Sequence, residues 1–288
     1  MNFLWNALIL INIYALLCLG NNLTVGYAGL LNLATAASFA IGSYTTALIM
    51  TRLGMGLPMA IGGAILVSLV LALVIGSATL RYRRTSFALA SLAFQVLVLA
   101  VIRNTEVFGG TLGIKGIPRP AWIGTGSGSL LAFWLLTAVI LVAVILGYLG
   151  LRRSPWALAL QASRDDELAA VSVGKNVPWI RVEAFLVSSV IIAVAGGLFA
   201  SYIQYIDPTS FGVDESILLL LALVCGGTCN TRGPVLGAVF VIALPEWLRF
   251  LDVSAPYAAN IRSIVFGILV ILLMRYRPQG LAGRYALD

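Results

Sequence analysis

Residues 154–177 read SPWALALQASRDDELAAVSVGKNV, and they form the most polar stretch of a chain that is apolar almost everywhere else. The stretch is too charged to cross a membrane. Ser154 followed by Pro155 is typical of a helix start. The acidic run 165–167 suits the start of a second helix, because acidic side chains favour the positive end of the helix dipole. Gly174 is typical of a helix end. The stretch therefore predicts two short helices between long apolar segments.

The composition of the rest of the chain indicates a membrane protein. Of its 288 residues, 60% are hydrophobic and only 10% are charged, whereas a soluble domain carries about 25% charged residues. The chain cannot cover itself with polar side chains, and its length predicts one helical membrane domain over residues 1–288. The N-terminal apolar run lacks the basic region of a signal peptide and is predicted to be a first span.

Apolar segments along the chain predict an all-α, polytopic fold with about eight to ten membrane-spanning helices. The candidate segments are about 3–20, 26–50, 58–80, 86–102, 130–151, 182–203, 216–225, 234–250 and 258–274. The seventh is too short to cross alone. The second is rich in small residues and contains Asn32, so it is a poor candidate for one continuous helix.

Basic residues concentrate in three short polar regions, 81–84, 152–181 and 275–284. The positive-inside rule places all three in the cytoplasm. The N-terminus then lies outside, unless segment 26–50 is broken or re-entrant, in which case its side changes. This distribution also explains the net charge of +7 without a nucleic-acid partner. Residues 103–129 and 204–215 then face outward, and these long, Gly- and Pro-rich loops suit either a partner or ordinary connections.

A glycine-rich stretch, VCGGTCNTRGPVLGA at 224–238, interrupts two apolar runs. Its breaking residues are Gly226, Gly227, Gly233 and Pro234, and Asn230 lies among them. Broken backbone inside a membrane is tolerated only within protein or beside a wet cavity. A tight cytoplasmic turn is the alternative, and the charge of Arg232 favours a turn near the membrane surface that also shapes a pathway.

An earlier stretch, TVGYAGLLNLATAASFAIGSYTTALI at 24–49, has a similar character. Its small residues permit close helix packing, and Gly26, Gly29 and Asn32 are candidates to line a path. Packing alone is the alternative interpretation. Both stretches place glycines and an asparagine before a small-residue helix, in opposite halves of the chain. This is a weak indication of the internal repeats that transporters use around a central path.

Several chemistries are disfavoured by the sequence. The chain has no histidine and three cysteines, which disfavours a zinc site. Neither Lys115 nor Lys175 completes the phosphate-binding motif G-x-x-x-x-G-K-[ST], and no catalytic set is found, so an enzyme is not expected. No row of intramembrane carboxylates indicates an ion relay. A channel or secondary transporter remains the competing class.

The chain resembles the permease subunits of the branched-chain amino-acid ABC importers, of the LivM/LivH type and closer to LivM. The similar stretches are GYAGLLNLATAASFAIGSYTTALI, FALASLAFQ with GGTLGIKGIPRP, ALALQASRDDELAAVSVGKNV, the long run AGGLFASYIQYIDPTSFGVDESILLLLALVCGGTCNTRGPVLGA, and RPQGLAGR. Their order and spacing cover nearly the whole chain. The family also includes importers of urea, short amides and other small solutes, so the solute stays open.

The resemblance implies partners, a location and site residues. It implies a bacterial inner-membrane complex with a sister permease, a periplasmic solute-binding protein and two ATP-binding cassette subunits, which would hold ATP and Mg while this chain holds no cofactor. Segment 152–178 would be the cytoplasmic coupling helix, with coupling residues Arg164, Asp165, Asp166, Glu167, Leu168 and Gly174. Candidates for docking the binding protein are Lys115, Arg119, Asp207, Asp214 and Glu215.

Overall fold

The computed structural model describes residues 2–79, 84–120, 129–249, 267, 268, 271, 275 and 280–282. Within them the chain is almost entirely helical, as predicted. The long helices are α1 (Asn2–Asn22), α2 (Thr35–Arg52), α3 (Leu57–Thr79), α4 (Arg84–Asn104), α5 (Ser129–Arg152), α8 (Val177–Ile203), α9 (Val213–Gly226) and α10 (Arg232–Arg249). The short ones are α6 (Pro155–Asp165) and α7 (Glu167–Ser172). The predicted span 258–274 lies largely outside the described residues.

Five described helical segments are long and apolar enough to cross a membrane: Leu4–Tyr27, Leu57–Ser77, Phe87–Asn104, Ser129–Arg152 and Val177–Ile203. Many large apolar side chains on α3, α4 and α5 are exposed, among them Leu66, Leu97 and Val139. In a soluble protein such surfaces would be an aggregation hazard, whereas lipid covers them at no cost. The fold is therefore that of an all-α, multi-pass membrane protein.

Helix α8 lies at the centre of the bundle and packs against α1, α2 and α3. Small residues make these crossings close: a Cβ on Gly42 would lie 2.6 Å from the Ala193 carbonyl oxygen. Serine hydroxyls then bond across the contacts, from Ser43 to the Gly196 carbonyl at 3.0 Å and from Ser188 to the Gly20 carbonyl at 2.7 Å. Close packing and interhelical hydrogen bonds are what holds helices together in lipid.

The directions of the helices follow from these cross-links. Tyr202 donates to Asn6 at 2.8 Å while Ser188 bonds to Gly20, so α1 and α8 are antiparallel. Residues 43 and 50 of α2 contact residues 196 and 201 of α8, so these two helices are parallel. Both relations agree with the alternation predicted from charge. The end of the bundle at which α6 and α7 lie is called the α6 end.

The predicted span 26–50 is not one helix. Helix α1 continues into a π-helical turn, Leu23–Tyr27, and residues 28–34 are irregular before α2 begins. Gly29 adopts φ +63° in this break, which glycine does without strain. The break follows because Asn32 directs its side-chain oxygen to the backbone N–H of Ala34 and so replaces a helical hydrogen bond.

At the opposite end, the two predicted outer loops are paired. Strands β1 (Ile114–Lys115) and β2 (Tyr205–Ile206) form a short antiparallel ribbon. After β2 the chain enters the bundle. The evidence is a hydrogen bond from the Gln95 side chain of α4 to the Phe211 carbonyl, at 2.7 Å. Gln95 lies eleven residues, or about 16 Å, along α4. Helix α9 thus begins near mid-depth, which explains its 14 residues and agrees with the prediction that it is too short to cross alone.

Candidate functional site

The polar stretch between α5 and α8 forms the two short helices that the sequence predicts. Ser154 caps α6, its hydroxyl accepting from the Ala157 N–H at 3.3 Å, with proline next in the chain. Asp166 caps α7 and accepts from the Ala169 N–H at 3.0 Å. Gly174 follows α7 with φ +78°, a left-handed conformation that favours glycine. Each cap satisfies backbone N–H groups that a helix start leaves free.

One face of these helices is buried and another is exposed. Leu160 is fully buried against the bundle. Leu168 is 82% exposed and Val173 78% exposed, and Leu158 and Val171 are also exposed. These four side chains are called the α6–α7 patch. Apolar side chains that gather on the polar end of a membrane protein are typical of a protein or lipid contact surface.

An ion pair and two further hydrogen bonds attach α6 and α7 to α8. The Glu167 carboxylate lies 3.0 Å from the Arg181 guanidinium, which also donates to the Ser163 carbonyl at 3.1 Å. Trp156 donates to Glu183 at 2.7 Å. These contacts tie α6 and α7 to the first turns of α8.

Arg164 connects α6 with the π-helical turn after α1 and with the turn between α9 and α10. These two turns are called the broken stretches. Its guanidinium donates to the Gly26 carbonyl in the π-helical turn and lies 2.8 Å from the Cys229 sulfur. Cys229 belongs to the turn between α9 and α10, and its thiol lies 2.9 Å from the same Gly26 carbonyl. Burial raises the pKa of the Cys229 thiol even though the nearby Arg164 charge opposes the shift, so it stays a neutral thiol.

Residues 227–231, within the stretch 224–238, form a turn between α9 and α10, in agreement with the preferred interpretation. It is held by Asn22, whose side chain accepts from the Cys229 N–H at 3.1 Å and donates to the Asn230 carbonyl at 3.0 Å and to Tyr148 at 2.6 Å. Asn230 donates to the Ala282 carbonyl at 2.7 Å. Asn230 thus fixes the turn to the segment 280–282.

The glycines of this turn permit backbone contact. A Cβ on Gly233 would lie 1.9 Å from the Gly227 carbonyl oxygen, and one on Gly226 would lie 2.0 Å from the Gly233 carbonyl oxygen. Pro234 lies in the first turn of α10, where proline is tolerated. The N–H groups of Leu281 and Ala282 bond the Cys225 and Gly226 carbonyls and so close the end of α9.

The five outer docking candidates differ in exposure and in hydrogen bonding. Lys115 is exposed beside the Tyr205 ring, Arg119 is half-buried, and Asp214 is exposed. Burial disfavours the charge of Asp207, but hydrogen bonds from Ser210 and Thr209 outweigh it and hold its pKa below the usual value. Glu215 is different, because its carboxylate accepts from Tyr14 of α1 at 2.7 Å inside the bundle. It is not part of the outer surface.

Asn22, Tyr148 and Arg181 were missed by sequence reasoning, although they hold the site together. The adjacent asparagines Asn21 and Asn22 carry a usable signal, since two amides end an otherwise apolar run. Tyr148 and Arg181 carry none, because each looks like an ordinary residue near the end of a span.

Comparison with known proteins gives a consistent result. Residues 3–274 match the protein family described as "Branched-chain amino acid transport system / permease component". LivM of Salmonella typhimurium, a high-affinity branched-chain amino acid transport system permease protein, is 32% identical over 93% of this chain and 67% of its own length. LivH of the same organism is 26% identical over 98% of this chain and 94% of its own.

A more distant similarity is found to the ribose import permease protein RbsC of Haemophilus influenzae, which is 28% identical over 58% of this chain and 49% of its own length. No solved structure is significantly similar. The match over residues 3–274 covers all the described helices, including the α6–α7 stretch and both breaks. The chain therefore belongs to the family of branched-chain amino acid transport system permease components.

Proposed function

We propose that this chain is one of two permease subunits of an ATP-driven ABC importer in the bacterial inner membrane. It moves branched-chain amino acids, delivered by a periplasmic binding protein, into the cytoplasm. The similarity to LivM and LivH supports the solute class and the presence of a sister permease. ATP and Mg belong to two separate ATP-binding cassette subunits. The whole chain forms one permease domain.

One observation carries the proposal: Arg164 joins an exposed docking surface to both broken stretches of the bundle. The α6–α7 patch would supply an apolar contact for an ATP-binding subunit at the end of the bundle that the positive-inside rule predicts to be cytoplasmic. Asp165, Asp166 and Glu167 surround it with exposed charge. A channel or secondary transporter has no need of such a surface.

The opposite end suits a binding protein. The ribbon of β1 and β2 brings residues of two loops together, with Lys115 and Asp207 at least partly exposed. Mixed charge of this kind supports a reversible, salt-sensitive contact. Solutes such as urea or short amides are the alternative cargo, favoured only by the uncharged side chains near the breaks.

Affinity purification of this chain from its native membrane in mild detergent tests the assembly. Two ATP-binding subunits and a second permease are expected in the eluate, and the purified complex in vesicles is expected to take up leucine when the binding protein and ATP are supplied. A chain that elutes alone or only with itself contradicts the importer assignment. Uptake of urea instead of leucine contradicts only the solute.

Replacement of Gly174 by valine is expected to uncouple ATP hydrolysis from uptake. A Cβ here meets no atom within 4 Å, so the effect comes from backbone strain at φ +78° rather than from a clash. Valine at this φ costs about 1–2 kcal/mol or more, which is released by shifting the end of α7. The measurement is leucine taken up per ATP hydrolysed.

Gly174→Asn is the matched control, because asparagine tolerates left-handed backbone. It is expected to keep near-normal coupling. Equal loss of coupling in the asparagine and valine variants would show that the side chain itself, rather than the backbone angle, disturbs the docking surface. Normal coupling in both variants would show that α7 is not part of the coupling surface.

A further inference from the structure

The break before α2 places a helix N-terminus inside the bundle. The Leu33 N–H donates to the Ser91 hydroxyl at 3.0 Å, and Ser91 lies seven residues, or about 10 Å, along α4. Ala34 provides no side-chain cap for α2, and the Ala36 N–H instead donates to Ser216 of α9 at 3.0 Å. The N-terminus of this 18-residue helix carries the positive end of its dipole.

Asn21 directs an amide toward this N-terminus. Its side-chain oxygen accepts from the Thr35 hydroxyl at 3.1 Å and from the Thr24 hydroxyl at 3.3 Å. The Thr35 bond fixes the orientation of the amide, because the single Thr24 proton has its shorter bond, 2.9 Å, with the Asn21 backbone carbonyl. The NH2 group is therefore the remaining end. Asn21 is fully buried, and this NH2 group has no acceptor among the described residues.

Asn32 repeats the arrangement from the other side of the break. Its side-chain oxygen accepts from the Ala34 N–H at 2.9 Å, which again leaves the NH2 group as the outward end of the amide. Asn32 is 1% exposed, and its NH2 group also lacks an acceptor within the described part of the chain. Two buried amide donors without acceptors at one helix N-terminus are unusual, since buried donors are nearly always paired.

The missing partner must supply acceptor oxygens and suits a negative charge. A single carboxylate provides two oxygens, one for each amide, and the dipole of α2 stabilises its charge. The closest acidic neighbour in sequence to Ser216 is Glu215, but its carboxylate is held by Tyr14, seven residues and about 10 Å before Asn21 along α1. It therefore does not occupy the position.

We propose that Asn21, Asn32 and the N-terminus of α2 form a subsite for the carboxylate of the transported solute. The proposal rests on the proposed function, since it requires a carboxylate solute. Both NH2 groups are buried in this structure, so the solute reaches them only when the break moves. This movement is coupled to the α6 end, because the same break begins directly after the π-helical turn that Arg164 holds.

Replacement of Asn32 by aspartate tests the subsite. Aspartate keeps an oxygen for the Ala34 N–H but replaces the NH2 donor by a negative charge. Uptake of leucine per permease in the membrane is expected to fall at least about tenfold. Uptake by the variant, relative to wild type at each pH, is expected to recover as pH is lowered, because a protonated aspartate is neutral and donates a hydrogen bond.

Asn21→Asp is a second variant with the same expected result. Asn12→Asp is the matched control: it places the same carboxylate in α1, but at a partly buried site where Asn12 bonds Thr137. The control is expected to retain uptake. If the wild type takes up leucine and the Asn32→Asp and Asn21→Asp variants take it up equally well, the subsite is overturned. The importer assignment then stays intact. A wild-type complex that transports only solutes without a carboxylate overturns the subsite and the proposed solute class, but not the importer assembly.

Discussion

Gly233→Ala is expected to abolish the folded permease. The new Cβ would lie 1.9 Å from the Gly227 carbonyl oxygen and 3.0 Å from that of Gly226. Both obstacles are backbone atoms, so no side-chain rotation relieves the contact. The turn between α9 and α10 must open, which breaks the hydrogen bonds of Leu281 and Ala282 to the end of α9. Overpacking of this severity costs about 3 kcal/mol or more.

The stability loss is measured by heating the detergent-extracted protein and then running size-exclusion chromatography. The quantity compared is the temperature at which the monodisperse peak is lost. Gly62→Ala is the matched control, because a Cβ on Gly62 in α3 meets no atom within 4 Å. That variant is expected to match or slightly exceed the wild type, since alanine favours the helix. If Gly233→Ala melts with the wild type, the close approach of the two glycines is incorrect.

Arg164→Ala is expected to lower leucine uptake roughly 10- to 100-fold while the permease still reaches the membrane. The guanidinium bonds the Gly26 carbonyl and contacts the Cys229 sulfur, so its removal leaves the α6–α7 patch intact but weakens its connection to the turn after α1 and to the turn between α9 and α10. ATP-binding subunits should still attach. The measurement is leucine taken up per ATP hydrolysed, together with the amount of ATP-binding subunit that copurifies.

Arg153→Ala serves as the control for loss of a basic residue in the same region, because Arg153 is exposed and lies just before α6. Its uptake ratio is expected to stay near that of the wild type. Loss of the ATP-binding subunits from the Arg164 variant would instead make Arg164 a docking residue. Wild-type coupling in the Arg164 variant would show that Arg164 does not connect the α6–α7 patch to the transport pathway.

Much of this fold was predictable, because membrane spans and short capped helices depend on local sequence. The boundaries of α3, α4 and α5 follow the apolar runs, and α6 and α7 follow their caps at Ser154 and Asp166. Gly174 ends α7 at the predicted position. Each of these features is decided by a few neighbouring residues.

The features that were missed depend on residues far apart in the chain. The break near Asn32 was expected, but its hydrogen-bond partners were not: the Leu33 N–H donates to Ser91 and the Ala36 N–H at the start of α2 donates to Ser216, and no local pattern predicts these partners. Glu215 looked like an outer residue because it follows an acidic loop, but the loop enters the bundle and Tyr14 binds the carboxylate. Asn230 ties the turn to the segment 280–282, a contact that its neighbours in sequence do not predict.

Cys229 is held at φ +58°, a left-handed angle that costs a residue with a side chain about 1–2 kcal/mol. Glycine would adopt the same angle freely. Selection for heat resistance alone would therefore replace this cysteine, whereas selection for growth on the transported solute would retain it, because its sulfur contacts both Arg164 and Gly26. At this position, a replacement that makes the protein more stable would make it a less active transporter.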